Sequence, residues 1–143
     1  MTAFADLRVG LRLEGTPVTI DHGLVTTVIG RAGYVHPLFT DPEHPARRTL
    51  PGAPVPGSLL LVLLGGMAEQ QETFGEHVVA LSGFDEVRFE RMVVAGASVL
   101  PRFDLLALEP AGSGRGGTAV WRWTLDDADG SRVCSAIARL RTH

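Results

Sequence analysis

The sequence predicts an α+β fold in which a curved antiparallel β-sheet wraps around one long central helix. Two observations carry this prediction. A single strongly apolar helical segment lies in the middle of the chain, and the segments after it have the lengths and turn signals of antiparallel strands. At 143 residues the chain is predicted to form one domain, 1–143, with its own core.

The central helix is predicted to begin at Pro56-Gly57-Ser58 and to run to about Phe74. Residues 59–64 read LLLVLL and are apolar on every side, so we expect the helix to be buried nearly all round. Gly65 and Gly66 each cost roughly 1 kcal/mol relative to alanine inside a helix. We therefore expect another segment to approach the helix backbone closely at these glycines.

The strands are predicted to follow the helix. They cover residues 77–90, 98–108, 117–125 and 132–141, and Asp129-Gly130 is a two-residue hairpin turn before the last of them. Trp121 and Trp123 lie two residues apart, so they should share one face of their strand. A long buried helix before a run of long antiparallel strands is the pattern of the hot-dog fold.

The part of the chain before the helix is more irregular. Residues 18–20 are predicted to form a strand, and Asp21 is predicted to cap a helix that runs to about Gly30. The next stretch, 31–57, carries most of the nine prolines and is predicted to be mostly loop. A loop of this length inside a compact domain is commonly functional.

The composition excludes several classes of protein. A net charge of −3 gives no reason to expect nucleic acid as a partner. The longest apolar run, 59–64, is too short to span a membrane, and the first ten residues lack the pattern of a signal peptide. Cys134, the single cysteine, excludes an internal disulfide and favours a cytoplasmic setting; it is predicted to be a core residue. We expect no cofactor and no metal.

Three segments share their order and spacing with the motifs of a known family. Residues 33–41, GYVHPLFTD, align without a gap with Gly-Asp-x-Asn-Pro-x-His-x-Asp, and residues 55–57, VPG, align with Ala-His-Gly at the start of a central helix. Residues 87–96, VRFERMVVAG, align with a strand of the type Val-Arg-Phe-x-x-Pro-Val followed by Gly-Asp. Over nearly its whole length the chain thus resembles the MaoC-like acyl-thioester dehydratases and hydratases, which are hot-dog proteins.

The resemblance implies an active-site loop whose standard acid–base pair is replaced. In the family, the Asp and His of the first motif act on a bound 3-hydroxyacyl or enoyl thioester. Tyr34 stands at the Asp position and Phe39 at the His position. Phenylalanine has no proton to exchange, and a free tyrosine titrates near a pKa of about 10, so neither can take the family's role at neutral pH.

His36, at the Asn position of the motif, is the ionisable residue gained in that loop. It precedes Pro37, which favours an extended backbone at His36. The resemblance predicts His36 as the general acid–base residue, and the alternative is a partly buried histidine that holds the loop through one hydrogen bond. Tyr34 is predicted to donate a hydrogen bond to a carbonyl or to pack in the pocket wall, and the second role is favoured.

The resemblance also points to residues that bind substrate. Gly57 and Ser58 lie where the unpaired N–H groups of a helix start would polarise a thioester carbonyl, although Gly57 is also explained by the need for a small residue there. Asp41 either orients His36 or caps the next turn, and the cap is favoured because Asp before Pro often begins a turn. Arg88 is predicted to meet a phosphate of the thioester carrier, or to be an ordinary strand charge.

The function implied is an acyl-thioester dehydratase or hydratase with a non-standard active site, acting on coenzyme A or carrier-protein thioesters, in polyketide or other secondary metabolism. Two alternatives remain: a non-catalytic hot-dog subunit or binding protein that pairs with an active paralogue, and a thioesterase or cyclase in the same pocket. We expect a homodimer, or a heterodimer with a related hot-dog chain, because one copy leaves a strand edge and one side of its helix uncovered.

The resemblance and the expected dimer together predict where the loop residues lie. Tyr34 and His36 should line a mostly apolar cleft near the helix start at Gly57, bounded partly by the second subunit. His44, in contrast, is predicted to be exposed to solvent.

Overall fold

The predicted sheet and central helix are both present in the computed structural model, which describes residues 3–74 and 77–143. The helices are α1 (His22–Ala32), α2 (Pro37–Thr40) and α3 (Gly57–Glu69). The strands are β1 (Arg12–Glu14), β2 (Val18–Thr19), β3 (Val78–Phe89), β4 (Ser98–Pro110), β5 (Gly117–Asp127) and β6 (Arg132–Thr142).

The six strands form one antiparallel sheet. Their order is β1-β4-β5-β6-β3, and β2 also pairs with β4. The two edges differ, because β1 has only three residues whereas β3 has twelve. The α+β hot-dog prediction is confirmed, and β3 becomes a long strand with one unpaired side.

The inner face of the sheet packs against α3. Trp121 and Trp123 lie on this face and are only 1% and 3% exposed, which confirms that they share a side of β5. The ring of Phe74 packs on them, with ring centroids 4.7 Å from Trp121 and 6.3 Å from Trp123. The aromatic cluster therefore joins the end of the helical segment to the middle of the sheet.

The prediction that the central helix runs to about Phe74 is wrong in its end point. α3 ends at Glu69, and residues 72–74 form a separate 3₁₀ turn. The N–H of Gln71 bonds to the carbonyl of Ala68, and the N–H of Phe74 bonds to that of Gln71. These shorter-range bonds replace the α-helical pattern, and Phe74 is buried at 4% exposure.

The prediction that α3 is buried all round is also wrong for the single chain. Leu59, Leu60 and Leu64 are buried, but Val62 on the opposite side is 68% exposed. Within the described residues, no atom lies within 4 Å of a Cβ built on Gly65 or on Gly66. The close approach expected at these glycines is thus not made inside one copy of the chain, and α3 keeps one open apolar side.

α1 begins as the sequence predicts and ends slightly later. Asp21 is its N-cap: the side-chain carboxylate accepts the N–H of Leu24 at 2.8 Å. The helix continues to Ala32 and ends at Gly33, whose φ of 80° is a left-handed conformation suited to glycine. This turn leads into the loop that carries the first motif.

Asp21→Ala should lower the free energy of unfolding by about 1 kcal/mol, because the first turn of α1 loses its cap. Urea denaturation followed by circular dichroism measures the change. Asp21→Asn is the matched control: an amide oxygen also caps well, so stability should stay close to that of the wild type. Equal stability of the Ala and wild-type proteins would contradict the role of this cap.

The stretch between α1 and α3 is mostly irregular, as predicted, but two short helical turns interrupt it. One is α2, and the other is a 3₁₀ turn over residues 45–47. Each follows a histidine and has proline as its first residue, where the missing N–H costs nothing. In the described part of the chain, no helix is long and apolar enough to cross a membrane.

Candidate functional site

The first-motif loop is built around the one-turn helix α2. His36 is the N-cap of this turn, and its Nδ1 accepts the N–H of Leu38 at 3.0 Å. The carbonyl of His36 accepts the N–H of Phe39 at 2.9 Å. The cap sets the direction of α2, and α2 in turn sets where Phe39 points.

Phe39 takes the place in the site that the sequence assigned to Tyr34 and His36. Its half-buried ring lines a cleft beside the start of α3. Tyr34, also half-buried, packs edge-on against it, with ring centroids 5.3 Å apart. His36 is exposed, and its ring lies 6.5 Å from that of Phe39. In the single chain, then, neither Tyr34 nor His36 lines the cleft, and their place in a cleft completed by a second subunit stays a prediction.

The cleft is small and mostly apolar. Its volume is about 310 Å³. Besides Phe39, it is lined by the residues leading into α3, by α3 itself and by the end of β3 with the turn that follows: Pro54, Val55, Gly57, Leu60, Phe89, Glu90, Arg91, Met92 and Val93. Small apolar clefts with a few polar groups are typical ligand sites.

Gly57 lies where the cleft meets the helix start. A Cβ added to it would lie 3.2 Å from the ring of Phe89, so a larger residue would have to displace that ring. In the described residues, the N–H groups of Gly57 and Ser58 have no acceptor. They therefore form a partly positive corner of an otherwise apolar cleft, suited to an oxygen that carries negative charge.

The hydrogen bond of His36 limits the chemistry of its ring. Because Nδ1 accepts the N–H of Leu38, the neutral imidazole carries its proton on Nε2. In this state Nε2–H can donate a hydrogen bond, but the nitrogen that could take up a proton is Nδ1, and protonation there would break the cap of α2. The structure thus shows His36 holding the loop, and acid–base catalysis by His36 would require this cap to open.

Asp41 caps a turn, which confirms the favoured of its two roles. Its Oδ1 accepts the N–H of Glu43 at 2.9 Å. His44 differs from the prediction, because it is half-buried: its Nδ1 accepts the N–H of Ala46 at 3.2 Å, and its ring lies 6.3 Å from that of His36. The two His-Pro turns therefore use their imidazoles in the same way.

Arg88 lies on the other side of the sheet from the cleft. In the register of β3 with β6, Phe89 faces buried Cys134 while Arg88 faces Ser135 on the outer face. There Arg88 lines a cavity of about 210 Å³ together with Arg122. The prediction grouped Arg88 with Gly57 in one site, and the alternation of side chains along the strand separates them.

Cys134 is fully buried, as predicted. Burial raises the pKa of its thiol to about 11, so the neutral form packs in the core and no reactive thiolate forms near neutral pH. Within the described residues, no group of three or more His, Cys, Asp or Glu side chains could hold a metal ion.

A second apolar cavity lies at the far end of α3. Its volume is about 520 Å³, and its walls combine the end of α3, the start of β3 and the aromatic cluster: Gly65, Ala68, Glu69, Phe74, Val78, Val79, Ala80, Leu81, Trp123 and Leu140. Gly65 lies eight residues beyond Gly57, about 12 Å along the helix axis. The cavity was not predicted, because it depends on glycines that leave space instead of admitting a neighbour.

The chain resembles several solved structures in fold. No protein-family model matches it, and no curated protein sequence matches it. A monoamine oxidase regulatory protein from Archaeoglobus fulgidus superposes with a TM-score of 0.86 at 21% identity, over 99% of this chain and 94% of that one. The HadBC 3R-hydroxyacyl-ACP dehydratase complex from Mycobacterium tuberculosis gives 0.78 at 16% identity, over 93% and 96%.

A third similar structure, Rv0216 from Mycobacterium tuberculosis, has a double hot-dog fold. It superposes with a TM-score of 0.77 at 21% identity, over 99% of this chain and 44% of that one. This chain therefore spans less than half the length of Rv0216. At these identities the likenesses establish the hot-dog fold.

Proposed function

We propose that the chain binds an acyl thioester of coenzyme A or of an acyl carrier protein in the cleft at the start of α3, and that it acts as a hydratase- or dehydratase-like protein with a non-standard site. The observation that carries the proposal is the apolar cleft that ends at the unpaired N–H groups of Gly57 and Ser58. A thioester carbonyl placed there is polarised, and the enolate formed during hydration or dehydration is stabilised.

The motif alignment supports the same placement. Phe39, at the position of the family's histidine, does line this cleft, so the loop keeps its path even though the residue is changed. The HadBC complex, similar in fold, is a 3R-hydroxyacyl-ACP dehydratase. In our proposal His36 supplies the acid–base group: Nδ1 releases the N–H of Leu38 to take up a proton, and the imidazolium formed can then give a proton from Nε2. Secondary metabolism in the cytoplasm is the expected setting.

The apolar cavity at the far end of α3 suits the acyl chain. Residues of both α3 and β3 line the cleft and this cavity: Phe89 lies near Gly57 in the cleft, and Leu81 and Gly65 are both in the wall of the cavity. An acyl chain whose thioester lies at the N-terminus of α3 would pass the open side of that helix before it reaches the cavity. A second copy of the protein against that side would close the route from solvent.

A non-catalytic binding subunit is the second candidate. It is favoured by Phe39, which puts a ring without an exchangeable proton in the cleft, and by the exposure of His36 in the single chain. Turnover separates the two candidates. A panel of enoyl and 3-hydroxyacyl pantetheine thioesters, which carry the part common to both carriers, should be converted by the wild-type protein if the first candidate holds.

Gly57→Ala should weaken thioester binding about tenfold, because the added methyl group crowds the ring of Phe89 and the space beside the helix start. Calorimetry with a saturated acyl-pantetheine thioester measures the affinity without turnover. Gly30→Ala, in α1, is the matched control: no described atom lies within 4 Å of its added Cβ, and affinity should not change. If the two variants bind equally well, the thioester does not occupy this cleft.

A further inference from the structure

A cavity on the outer face of the sheet holds two arginines that form no ion pair with a carboxylate of the described residues. The cavity has a volume of about 660 Å³ and lies between the β4–β5 loop, the end of β6 and the start of β3. Its lining residues are Val79, Ser82, Glu109, Pro110, Ala111, Ser113, Arg115, Gly117, Thr118, Arg141, Thr142 and His143. Its size is in the range of small-molecule sites, roughly 300–1,000 Å³.

The register of the strands explains why the charge is uncompensated. Glu109, Thr118 and Arg141 lie in one row across β4, β5 and β6. Glu109, however, is paired with Arg139, two residues before Arg141 on the same face. Within the described residues, neither Arg115 nor Arg141 has a carboxylate within ion-pair distance.

The loop that carries Arg115 is held firmly against the strand that carries Arg141. The N–H of Ala111 bonds to the carbonyl of Gly116 at 2.9 Å and closes the loop. A Cβ on Gly116 would lie 2.2 Å from the carbonyl oxygen of Thr142, so only glycine allows this contact. The backbone of Arg115 is thus held next to the end of β6 that carries Arg141, and both arginine side chains are exposed.

The remaining walls indicate what else the ligand carries. Pro110 and Ala111 form an apolar side of the cavity. Ser113 lies on the rim beside Arg115, with its Oγ 3.5 Å from the Arg115 N–H nitrogen. Guanidinium groups bind phosphate oxygens in a fork-like geometry, and an apolar wall favours a flat organic group next to them.

We propose that this cavity is a binding site for a phosphorylated small organic molecule of the nucleotide type, held by Arg115 and Arg141. The inference does not rest on the proposed thioester function. If both hold, the nucleotide end of coenzyme A is one such ligand, whereas a substrate on a carrier protein is not.

Calorimetry with adenosine 3′,5′-bisphosphate tests the site in the absence of any thioester. We expect binding at low ionic strength that weakens as salt is added, because the contacts are charged. Adenosine and inorganic phosphate should each bind more weakly than the bisphosphate. No binding of the bisphosphate at millimolar concentration, or phosphate binding that matches it, would refute the proposal.

The double variant R115Q/R141Q should weaken binding of the bisphosphate by at least about tenfold. R12Q/R132Q is its control, because it removes the same net charge from two arginines already paired with Asp104 and Asp126. An equal loss in the control would mean that general electrostatic attraction, not this cavity, accounts for binding. None of these four arginines is buried, so all variants should fold, and circular dichroism checks this.

Discussion

His36→Ala is expected to lower turnover of the preferred enoyl thioester by roughly 10²–10⁴-fold, the effect of losing a general acid–base group. The structure adds a second effect of the same substitution, because alanine also removes the cap of α2 and with it the anchor of Phe39. A loss of activity in this variant alone would therefore not identify the chemistry. Steady-state rates have to be compared with those of a variant that keeps the cap.

His36→Asn is that variant. An Asn side chain accepts the N–H of Leu38 as an N-cap, but it cannot exchange a proton near neutral pH. Acid–base catalysis by His36 predicts that Asn and Ala are equally inactive and that the pH dependence of kcat/KM changes in both. Wild-type activity in His36→Asn, with the loss confined to His36→Ala, would show that His36 positions Phe39 and would refute the acid–base assignment.

His44→Ala serves as the control for a capping histidine outside the motif. Its Nδ1 caps the 3₁₀ turn of residues 45–47 in the same way as His36 caps α2. We expect a small loss of stability and little change in turnover, because the turn that it caps does not contribute to the cleft. A loss of turnover as large as that of His36→Ala would show that folding of the whole loop, not one imidazole, sets the activity.

The fold was accessible from the sequence because its elements have strong local signals. Asp21 marks the start of α1, and Asp129-Gly130 correctly indicated a turn between the last two strands. The turn is longer than the two residues predicted, because residues 128–131 separate β5 from β6 and the N–H of Gly130 bonds to the carbonyl of Asp127. The alternation along β5 placed Trp121 and Trp123 on one face. These signals act over a few residues, so they can be recognised without knowledge of the rest of the molecule.

The errors concern contacts between distant segments. The apolar run of α3 indicated a helix buried on all sides, but burial depends on what surrounds the helix, and one copy of the chain leaves Val62 exposed. The early end of α3 depends on the aromatic cluster that draws Phe74 inward. Neither the cluster nor the uncovered side can be read from a stretch of neighbouring residues.

The candidate site was predictable in part. The alignment of motifs pointed to a loop and a helix start that share a cleft in the structure, through Phe39 and Gly57. It could not show that His36 lies outside the cleft of the single chain, because the orientation of its ring depends on the extended N-cap backbone and on the hydrogen bond to the N–H of Leu38. Phe89 and Met92, which line the cleft, were missed because their segment was interpreted as an ordinary charged strand and the turn after it.

The unpaired side of β3 and the open side of α3 together indicate how the chain assembles. Val79, Leu81 and Phe89 on β3 are about half exposed or more, and Val62 on α3 is exposed to 68%. Exposed apolar residues along a long unpaired strand favour association with another chain. We propose that the occupant is a second copy, or a related hot-dog chain, whose β3 pairs with this one and whose α3 lies beside this helix.

The proposed dimer explains features that have no explanation in the single chain. Gly65 and Gly66 have no described neighbour within 4 Å, which is where a second helix could approach the backbone. Antiparallel pairing of two β3 strands would bring the start of one beside the end of the other. The partner would then lie next to the cleft at Phe89 and also over His36, provided that it reaches the first-motif loop.

Val62→Glu is therefore expected to convert a dimer into a monomer. The substitution places a carboxylate on the open side of each α3, where the two helices would otherwise bury apolar surface. In the monomer this position is exposed, so the carboxylate is hydrated and the fold is not disturbed. Light scattering at micromolar concentration should give twice the chain mass of 15.3 kDa for the wild type and the single mass for the variant. Val9→Glu is the control, since Val9 is 60% exposed but lies far from β3 along the sheet order, next to β1.

Loss of the dimer should also remove thioester turnover, because the open side of α3 would then expose the acyl route to water. A folded Val62→Glu monomer with full activity would show that the site is complete within one chain. A wild-type protein that is already monomeric would overturn the assembly itself. In that case the exposed apolar side of α3 must be covered by a different chain, and adding a candidate hot-dog partner should restore a complex of two unlike subunits, which Val62→Glu would again prevent.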